Sequence, residues 1–289
     1  MLCIAGTVPL DDFPLTEGEV ELKGEHLRIG ASLIAVNRGT PALLAAAVKA
    51  ADTLGQRAPF AYLVGDTGTG RGSRRLYAHI TDVLPRSAFQ VIAFHYLQPI
   101  VHWHRKIQDV LVKLNPRPRL IADAGFMYVA KMSGEASLYD LFTPDVGELA
   151  FLADEEAPHP FYTRGFILHE DNRVPDLIVR AYQHHNAARY LLVKGAKDYL
   201  ADETGILETV ERPVEDALEA IGGTGDTLTG LVSVLIDMGM NMREAAVVAM
   251  RANRLAGRYA QPTPATQIVE IIRQIPQALR EALDEQAAK

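Results

Sequence analysis

The sequence predicts an α/β fold with a mainly parallel central sheet sandwiched between helices. Apolar segments of strand length alternate with segments of helix length along most of the 289 residues, a pattern typical of consecutive βα units. The hydrophobic content of 48% supplies a large core, and folds of this class often reach this size as one domain. We therefore expect a single domain over residues 1–289, with residues 1–28 as a peripheral N-terminal extension that holds at most one edge strand.

Repeated strand–helix units fill the first half of the chain. The turn at residues 37–40 ends the first of these strands, and Thr40 is the expected cap of the helix that follows. Pro41 then stands at the first helical position, where its missing N–H costs no hydrogen bond. This pattern predicts strands at residues 29–36, 60–64, 89–94 and 119–122, and helices at residues 42–54, 74–84 and 100–114.

The second half keeps the alternation as far as residue 193 and then changes. Two short apolar segments on either side of a turn at residues 202–205 predict a hairpin after Gly195. A loop with proline and histidine, at residues 155–171, is the one candidate linker. We expect strands at residues 141–143, 190–193, 198–201 and 206–210, and helices at residues 146–153, 175–188, 226–238, 242–260 and 266–284, the last three packed on one side of the sheet.

Charge and cysteine content narrow the function classes. A net charge of -7 argues against general affinity for nucleic acid or anionic membranes, so we expect a small-molecule substrate. The single cysteine, Cys3, excludes an internal disulfide and a cysteine zinc site. Acidic residues near the N-terminus interrupt what a signal peptide would need, and no run of 18 apolar residues occurs, so we expect a cytoplasmic protein.

A glycine-rich stretch at residues 221–230 runs directly into an apolar helical segment. Glycine lets the backbone approach a ligand closely, and the unpaired N–H groups of a first helical turn attract anions such as phosphate. Asp226 would repel phosphate, but a carboxylate there suits a base that takes the proton from an attacking hydroxyl. The alternative is that Asp226 only caps the helix.

Other motifs give weaker signals. Residues 65–73 have the glycine spacing of a P-loop, yet Arg71 and Gly72 replace its lysine and its hydroxyl residue, which leaves a structural turn or a ligand contact. His102 and His104 lie two apart on a helix and cannot reach one metal ion, so we expect surface or boundary histidines. Lys194 follows a buried-type strand at the edge where ligands of open α/β sheets bind, and it either contacts phosphate or is a solvent-exposed strand end.

The motifs together resemble the carbohydrate-kinase-like, ADP/ATP-dependent NAD(P)H-hydrate dehydratases, a family of the ribokinase-like superfamily. The resemblance covers residues 37–280 and is most specific at Gly222–Asp226 with Leu228 and Gly230, at Leu191–Ala196 and at Thr143–Glu148. Gly39–Leu43 and Ala252–Gly257 resemble two further helix segments of the family.

This resemblance implies a ribokinase-like three-layer α/β/α sandwich that holds a nucleotide over the carboxyl edge of its sheet. It implies Asp226 as the catalytic base and ATP or ADP with Mg²⁺ as cofactors. It assigns no particular residue as metal ligand. Asp123 or Glu148 could order magnesium through water, or could simply cap a helix. The implied nucleotide contacts are Lys194, Gly195, Gly222, Gly223, Thr224 and Gly225, and the implied substrate side consists of Asp123, Asp145, Glu148 and Gly39.

Three departures from the family pattern mark a divergent branch. Residues 94–97 stand where the family has a Gly-Pro-Gly turn, Asp145 replaces a histidine, and Gly125 replaces the second aspartate of an Asp-Ala-Asp pattern. The resemblance implies phosphorylation of a substrate hydroxyl followed by loss of phosphate. A kinase of a sugar or vitamin precursor and a nucleotide-binding relative without catalysis remain as alternatives, and we expect a homo-oligomer.

Overall fold

The computed structural model describes residues 1–160 and 173–288, so most of the predicted loop at residues 155–171 lies outside the described residues. Eleven strands form one sheet in the order β11-β10-β9-β8-β7-β6-β1-β5-β2-β3-β4. They are β1 (Leu2–Val8), β2 (Thr16–Lys23), β3 (His26–Ile29), β4 (Ser32–Ala35), β5 (Phe60–Gly65), β6 (Val91–His95), β7 (Arg119–Asp123), β8 (Leu141–Phe142), β9 (Tyr190–Val193), β10 (Asp198–Asp202) and β11 (Gly205–Val210).

Helices cover both faces of this sheet. They are α1 (Thr40–Thr53), α2 (Arg71–Val83), α3 (Val101–Leu111), α4 (Gly125–Ser133), α5 (Val146–Ala153), α6 (Val174–Gln183), α7 (Thr224–Asp237), α8 (Met242–Tyr259), α9 (Ile268–Ile272) and α10 (Ile275–Ala287). Short 3-10 turns occur at Leu84–Arg86, Ala136–Leu138 and Asp216–Ala220. None of the helices in this part of the chain combines the length and apolar character that a membrane crossing requires.

The centre of the sheet is parallel and its two edges are antiparallel. Strands β5, β1, β6, β7, β8 and β9 run in the same direction. Antiparallel hairpin strands extend it on both sides, β10 and β11 at one edge and β2, β3 and β4 at the other. The predicted α/β class with a mainly parallel sheet and the hairpin after Gly195 are confirmed.

The N-terminus is placed differently from the prediction. Strand β1 lies in the middle of the sheet between β5 and β6, and all seven of its residues are buried. The expectation of at most one edge strand in residues 1–28 is therefore wrong. The acidic residues around Asp11 obscured the signal, because they lie in the loop after β1 and not in the strand itself.

Each face of the sheet has its own apolar core because alternate strand residues point to opposite sides. Leu2 and Ile4 pack with α1, α7, α8, α9 and α10, whereas Cys3 and Ala5 pack with α2 to α6. The helices that close the chain therefore share one side of the sheet, as predicted, and α1 lies on the same side. The expected helix at residues 266–284 is two helices, α9 and α10, and the expected strand at residues 29–36 is a turn between β3 and β4 followed by β4.

Candidate active site

Four chain segments meet at the carboxyl edge of the parallel strands. His95 ends β6, Asp123 ends β7, Lys194 directly follows β9, and α7 begins at Thr224. The carboxyl edge of an open α/β sheet is where such folds bind ligands. Residues that are distant in sequence therefore form one polar cluster on an otherwise apolar sheet.

Asp226 occupies the first turn of α7 but does not cap it. The residue that precedes α7 is Gly223, with φ of 106°, and it makes no side-chain capping bond. The Asp226 carboxylate instead contacts two other elements: Oδ2 accepts a hydrogen bond from the Gly39 amide at 2.7 Å, and Oδ1 lies 3.0 Å from His95 Nε2. The capping alternative for Asp226 is wrong, and Gly39 lies beside the candidate base.

The Asp226 carboxylate is held in its ionised form. Burial alone would raise its pKa, but the hydrogen bond from His95, the charges of His95 and Lys194, and the Gly39 amide together lower the pKa below its usual value. The side chain is 11% exposed, so it still reaches the surface of a cavity. An ionised carboxylate at a cavity wall can accept a proton.

Lys194 is bound to Asp123 rather than free at a strand end. Its Nζ lies 2.9 Å and 3.0 Å from the two oxygens of the buried Asp123 carboxylate, which also accepts a hydrogen bond from Thr229 Oγ1 at 2.6 Å. Burial opposes the charged form of Lys194, but Asp123, Glu148 and Asp226 outweigh it and raise its pKa. A charged ammonium therefore stands at the cavity wall, and the alternative of a solvent-exposed strand end is wrong.

His95 is the member of the cluster that sequence reasoning missed. It stands at the end of β6, as Asp123 stands at the end of β7, and the two residues are register partners. The strand-end rule that singled out Asp123 and Lys194 would have found it. Its Nδ1 lies 2.9 Å from Thr40 Oγ1. The prediction that Thr40 caps α1 is wrong, because Thr40 is the first residue of that helix. The residue before it is Gly39, with φ of 75°.

The first turn of α7 presents to the cavity amides that have no partner among the described residues. The first hydrogen bond within the helix runs from the Thr227 amide to the Gly223 carbonyl at 2.9 Å, so the amides of residues 224–226 precede the helical ladder. Gly223, Thr224 and Gly225 all line the cavity. Gly225 also admits the lysine stem, because a Cβ there would lie 3.4 Å from Lys194 Cδ. This is the arrangement expected for an anion site.

The cavity itself has a volume of about 480 Å³ and extends from the sheet edge to the segment before α7. Its lining includes Tyr96, Asp123, Lys194 and Asp226 from the sheet edge, together with Gly195, Ala196, Asn253 and most of the 213–219 segment. Gly222 is absent from this wall among the described residues and packs against Arg38 instead. Five of the six predicted nucleotide contacts thus share one cavity with Asp226.

Asp145 and Glu148 lie at the cavity wall as a helix capping pair. The Asp145 carboxylate accepts the Glu148 amide at 2.7 Å, and the Asp145 amide donates to Glu148 Oε2 at 2.9 Å. Within residues 1–160 and 173–288, Glu148 Oε1 has one weak contact, to the Tyr128 hydroxyl at 3.5 Å. Burial raises the pKa of Glu148 to about 8; Lys194 opposes this shift, and Asp123 and Asp145 add to it. A cation bound at Oε1 would favour the ionised form of Glu148.

A buried ion pair holds the far wall. Arg254 donates to Asp198 Oδ2 at 2.7 Å and to the carbonyls of Gly195 and Ala196 at 2.9 Å each. Asp198 in turn accepts the Gly195 amide at 3.0 Å. The Gly195–Ala196 turn is therefore fixed from two sides. The sequence prediction covered the turn but not Arg254, although it lies in the Ala252–Gly257 segment that carries the resemblance.

The cluster at the sheet edge is an ion-pair network. His95, Asp123 and Asp226 have atoms within 4.8 Å of one another, which is a spacing that a metal site could have. However, the Lys194 ammonium already forms an ion pair with Asp123, and His95 Nε2 contacts the Asp226 carboxylate. A side-chain cation supplies the positive charge there, and we assign no metal ligand to these three residues.

Two other predicted features have structural explanations. The 65–73 turn folds around the Asp66 carboxylate, which accepts the amides of Gly68, Gly70 and Ser73 and the Ser73 hydroxyl. The carboxylate occupies the position that a phosphate would need. His104, expected at the surface or boundary, is fully buried and lies 2.8 Å from the Tyr139 hydroxyl; that expectation is wrong because α3 turns this histidine into the core.

Sequence comparison identifies the family of the chain. Residues 97–277, more than half of the chain, match the carbohydrate-kinase family model described as NAD(P)H-hydrate dehydratase. The chain belongs to this family. The matched region contains Asp123, Lys194 and Asp226. It begins two residues after His95 and does not include the N-terminal segment that supplies Gly39.

Individual relatives of this NAD(P)H-hydrate dehydratase family member match it over shares of different size. An uncharacterized protein of Methanocaldococcus jannaschii is 44% identical over 220 residues, covering 76% of this chain and 90% of that protein. The bifunctional NAD(P)H-hydrate repair enzyme of Pyrobaculum aerophilum is 27% identical over 176 residues, covering 60% of this chain and only 32% of that enzyme.

Solved structures confirm the ribokinase-like fold. A ribokinase-like superfamily protein of Enterococcus faecalis superposes with a TM-score of 0.61 at 14% identity, covering 97% of this chain and 87% of that one. The ADP complex of Bacillus subtilis pyridoxal kinase superposes with a TM-score of 0.54 at 15% identity, covering 86% and 88%.

Proposed function

We propose that this family member is a nucleotide-dependent phosphotransfer enzyme that repairs NAD(P)H hydrate. ATP or ADP phosphorylates the hydroxyl of the hydrated nicotinamide, and phosphate then leaves. The observation that carries the proposal is the juxtaposition of the ionised Asp226 carboxylate with the unpaired first-turn amides of α7 at one cavity wall. Proton acceptance and anion stabilisation are what phosphoryl transfer requires of a protein.

In the first step Asp226 accepts the proton of the substrate hydroxyl. The freed oxygen attacks the terminal phosphorus, and the bond to the bridging oxygen breaks with its electron pair on the departing nucleotide. The amides of residues 224–226 and the Lys194 ammonium lie where negative charge would accumulate. In the second step phosphate leaves with the C–O electron pair, and loss of a proton from the neighbouring carbon restores the dihydronicotinamide.

The nucleotide is proposed to lie along the wall formed by Gly195, Ala196 and Asn253, with its phosphates at Gly223, Thr224 and Gly225. A magnesium ion would neutralise phosphate charge. Glu148 is the residue that fits it, because its Oε1 has one weak contact among the described residues and burial raises its pKa to about 8, so a bound cation would favour its ionised form. Titration calorimetry with ATP and with ADP, each with and without magnesium, tests this part. No heat with any adenine nucleotide at millimolar concentration would reject it.

The acceptor is proposed to lie on the other side of Asp226, beside Tyr96. This side chain is 48% exposed and lines the cavity, so its ring is available to pack against the hydrated nicotinamide ring. The test is to mix the enzyme with NADPH hydrate and ATP or ADP and to follow the absorbance of the restored dihydronicotinamide. Restoration that depends on nucleotide supports the proposal.

A small-molecule kinase is the second candidate. Asp145, which stands where the family resemblance places a histidine, is engaged in the capping pair with Glu148 and leaves a different acceptor wall. A panel of sugars and vitamin-precursor alcohols, scored for nucleotide consumption, distinguishes this candidate. Nucleotide binding without turnover of either class would favour a relative that has lost catalysis.

A further inference from the structure

His95 lies behind the proposed catalytic base, out of reach of any substrate. It is fully buried, and the cavity wall formed by the described residues includes its neighbour Tyr96 and its partner Asp226 but not His95 itself. A buried histidine must find partners for both ring nitrogens. The arrangement of those partners indicates what His95 does.

The contact with Asp226 fixes the role of one ring nitrogen. An ionised carboxylate can only accept, so the 3.0 Å contact between His95 Nε2 and Asp226 Oδ1 requires a proton on Nε2. The other ring nitrogen, Nδ1, lies 2.9 Å from the Thr40 hydroxyl, which can serve as its hydrogen-bond partner. The other carboxylate, Asp123, lies farther from Nε2, at 3.7 Å, and is already bound by Lys194 and Thr229.

We propose that His95 is a positioning residue that fixes Asp226 in the orientation needed for proton transfer. Its Nε2–H holds one carboxylate oxygen, and the Gly39 amide holds the other at 2.7 Å. With both oxygens fixed from the sheet side, the carboxylate cannot rotate, and its remaining lone pairs face the cavity. Thr40 fixes the ring in turn. The sequence places this histidine where the family resemblance expects a glycine turn, so the support is a feature of this branch.

The proposal rests on the proposed function for its kinetic consequences. The titratable groups around Asp226 come from three strands. They are His95 at the end of β6 with Tyr96 after it, Asp123 at the end of β7, and Lys194 after β9. Loss of the His95 donor leaves burial to disfavour the ionised base, with Lys194 and the Gly39 amide as the remaining groups that favour it. The acid limb of the pH profile of kcat/KM, which reports ionisation of the base, therefore moves to higher pH.

The kinetic test compares two substitutions of His95 that differ in one donor. His95→Gln places an amide N–H where Nε2–H was, whereas His95→Leu fills the space without a donor. We expect His95→Leu to lower kcat about tenfold or more, shift the acid limb upward and leave the KM for nucleotide nearly unchanged. His95→Gln should recover most of both effects. Equal behaviour of the two variants would overturn the proposal.

His104→Leu is the matched control for loss of a buried histidine. His104 is as buried as His95 and also bonds to hydroxyl groups, Tyr139 and Ser133, but it lies in the helix layer of the opposite face. We expect this variant to lose stability while the acid limb stays in place. An equal shift of the acid limb in His104→Leu would show that the effect is general destabilisation and would overturn the proposal.

A measurement without substrate keeps the proposal testable if the proposed function fails. Nitrogen NMR of the histidine rings at neutral pH should show a proton on His95 Nε2. Carbon NMR of the Asp226 carboxyl, identified by its loss in Asp226→Asn, should show titration at higher pH in His95→Leu than in the wild type or in His95→Gln. An unprotonated Nε2 or an unmoved titration would overturn the positioning role, whereas absent turnover with both NMR results as expected would reject only the proposed function.

Discussion

Lys194 Nζ lies within 3.0 Å of both carboxylate oxygens of Asp123, although 71 positions separate the two residues. Asp123 ends β7, and Lys194 follows β9, with β8 between them. The side chains are only 11% and 2% exposed. Water therefore screens this ion pair little, and removal of one partner leaves the other buried without its nearest opposite charge.

The first prediction concerns the stability that this pair protects. Lys194→Met leaves the Asp123 carboxylate buried without its cation, and we expect a loss of about 3–5 kcal/mol in the free energy of unfolding. Urea unfolding measures it. Adding Asp123→Asn to Lys194→Met should recover a large part, because the uncompensated charge is then absent. Lys197→Met is the control: its partner Glu211 is 62% exposed, and a pair of this kind contributes about 0–1 kcal/mol. Similar losses for the two lysines would contradict the argument.

The second prediction concerns Gly230, a residue of the glycine-rich motif that does not face the cavity. A Cβ at this position would lie 2.4 Å from the Leu43 carbonyl oxygen, because α7 crosses α1 there. We expect Gly230→Ala to lower the free energy of unfolding by about 1–3 kcal/mol through overpacking.

Gly147→Ala provides the matched control within another helix. In α5 the nearest atom to a Cβ at Gly147 is Asp145 Oδ1, at an ordinary 3.4 Å. Alanine there should be neutral or should stabilise by up to about 1 kcal/mol, because it removes the helix cost of glycine. Thermal unfolding of both variants decides. An innocuous Gly230→Ala would show that the motif needs this glycine for a reason other than helix packing.

The third prediction uses the carboxylate inside the 65–73 turn. Burial opposes ionisation of Asp66, but the donors of Ser73, Gly70 and Gly68 outweigh it and lower the pKa. A carboxyl whose pKa is lower in the folded state stabilises the protein above its unfolded pKa of about 4, and this stabilisation is lost as the pH falls through the folded value.

Asp66→Asn should therefore lower the free energy of unfolding by about 1–3 kcal/mol at pH 7, because an amide cannot accept from all of these donors. The difference from the wild type should narrow in acid. Exposed Asp52→Asn in α1 is the control and should change stability by less than about 0.5 kcal/mol. Urea unfolding from pH 7 to pH 3 measures both. A difference that persists unchanged in acid would show that the ionised form is not what matters.

Much of the site follows from where strands end. Asp123 and Lys194 each stand directly after a continuous apolar segment, and parallel strands bring such residues to one edge whatever their distance in sequence. Asp226 and the amides around Thr224 follow from a glycine-rich turn that opens a helix. Local patterns of this kind need no knowledge of which elements are neighbours.

The features that sequence reasoning missed depend on tertiary neighbours. Strand β1 reads as a short apolar start, and only its pairing with β5 and β6 makes it central. The sequence around Thr40 indicates a helix cap, but its hydroxyl is hydrogen-bonded to His95 at the end of β6. His104 reads as a surface histidine, and only the packing of α3 shows that it is buried. In each case the deciding partner is more than 30 residues away or on another element.

The last prediction separates binding from chemistry at Asp226. Asparagine at this position keeps the shape of the side chain and can still accept the Gly39 amide, but it removes the negative charge and the ability to take a proton. Nucleotide affinity in Asp226→Asn should stay nearly the same or increase slightly, because one negative charge near the phosphates is gone. Turnover should fall by about 10² or more, which is the usual contribution of a general base.

Calorimetry measures the affinity of this variant, and the dihydronicotinamide assay measures its turnover. Asp82→Asn, exposed on α2, is the control and should leave both unchanged. If Asp226→Asn lost nucleotide affinity in proportion to turnover, the carboxylate would be holding the nucleotide site together and not acting as a base. If neither quantity changed in a protein that binds nucleotide, catalysis by Asp226 would be excluded, because turnover would continue without its carboxylate.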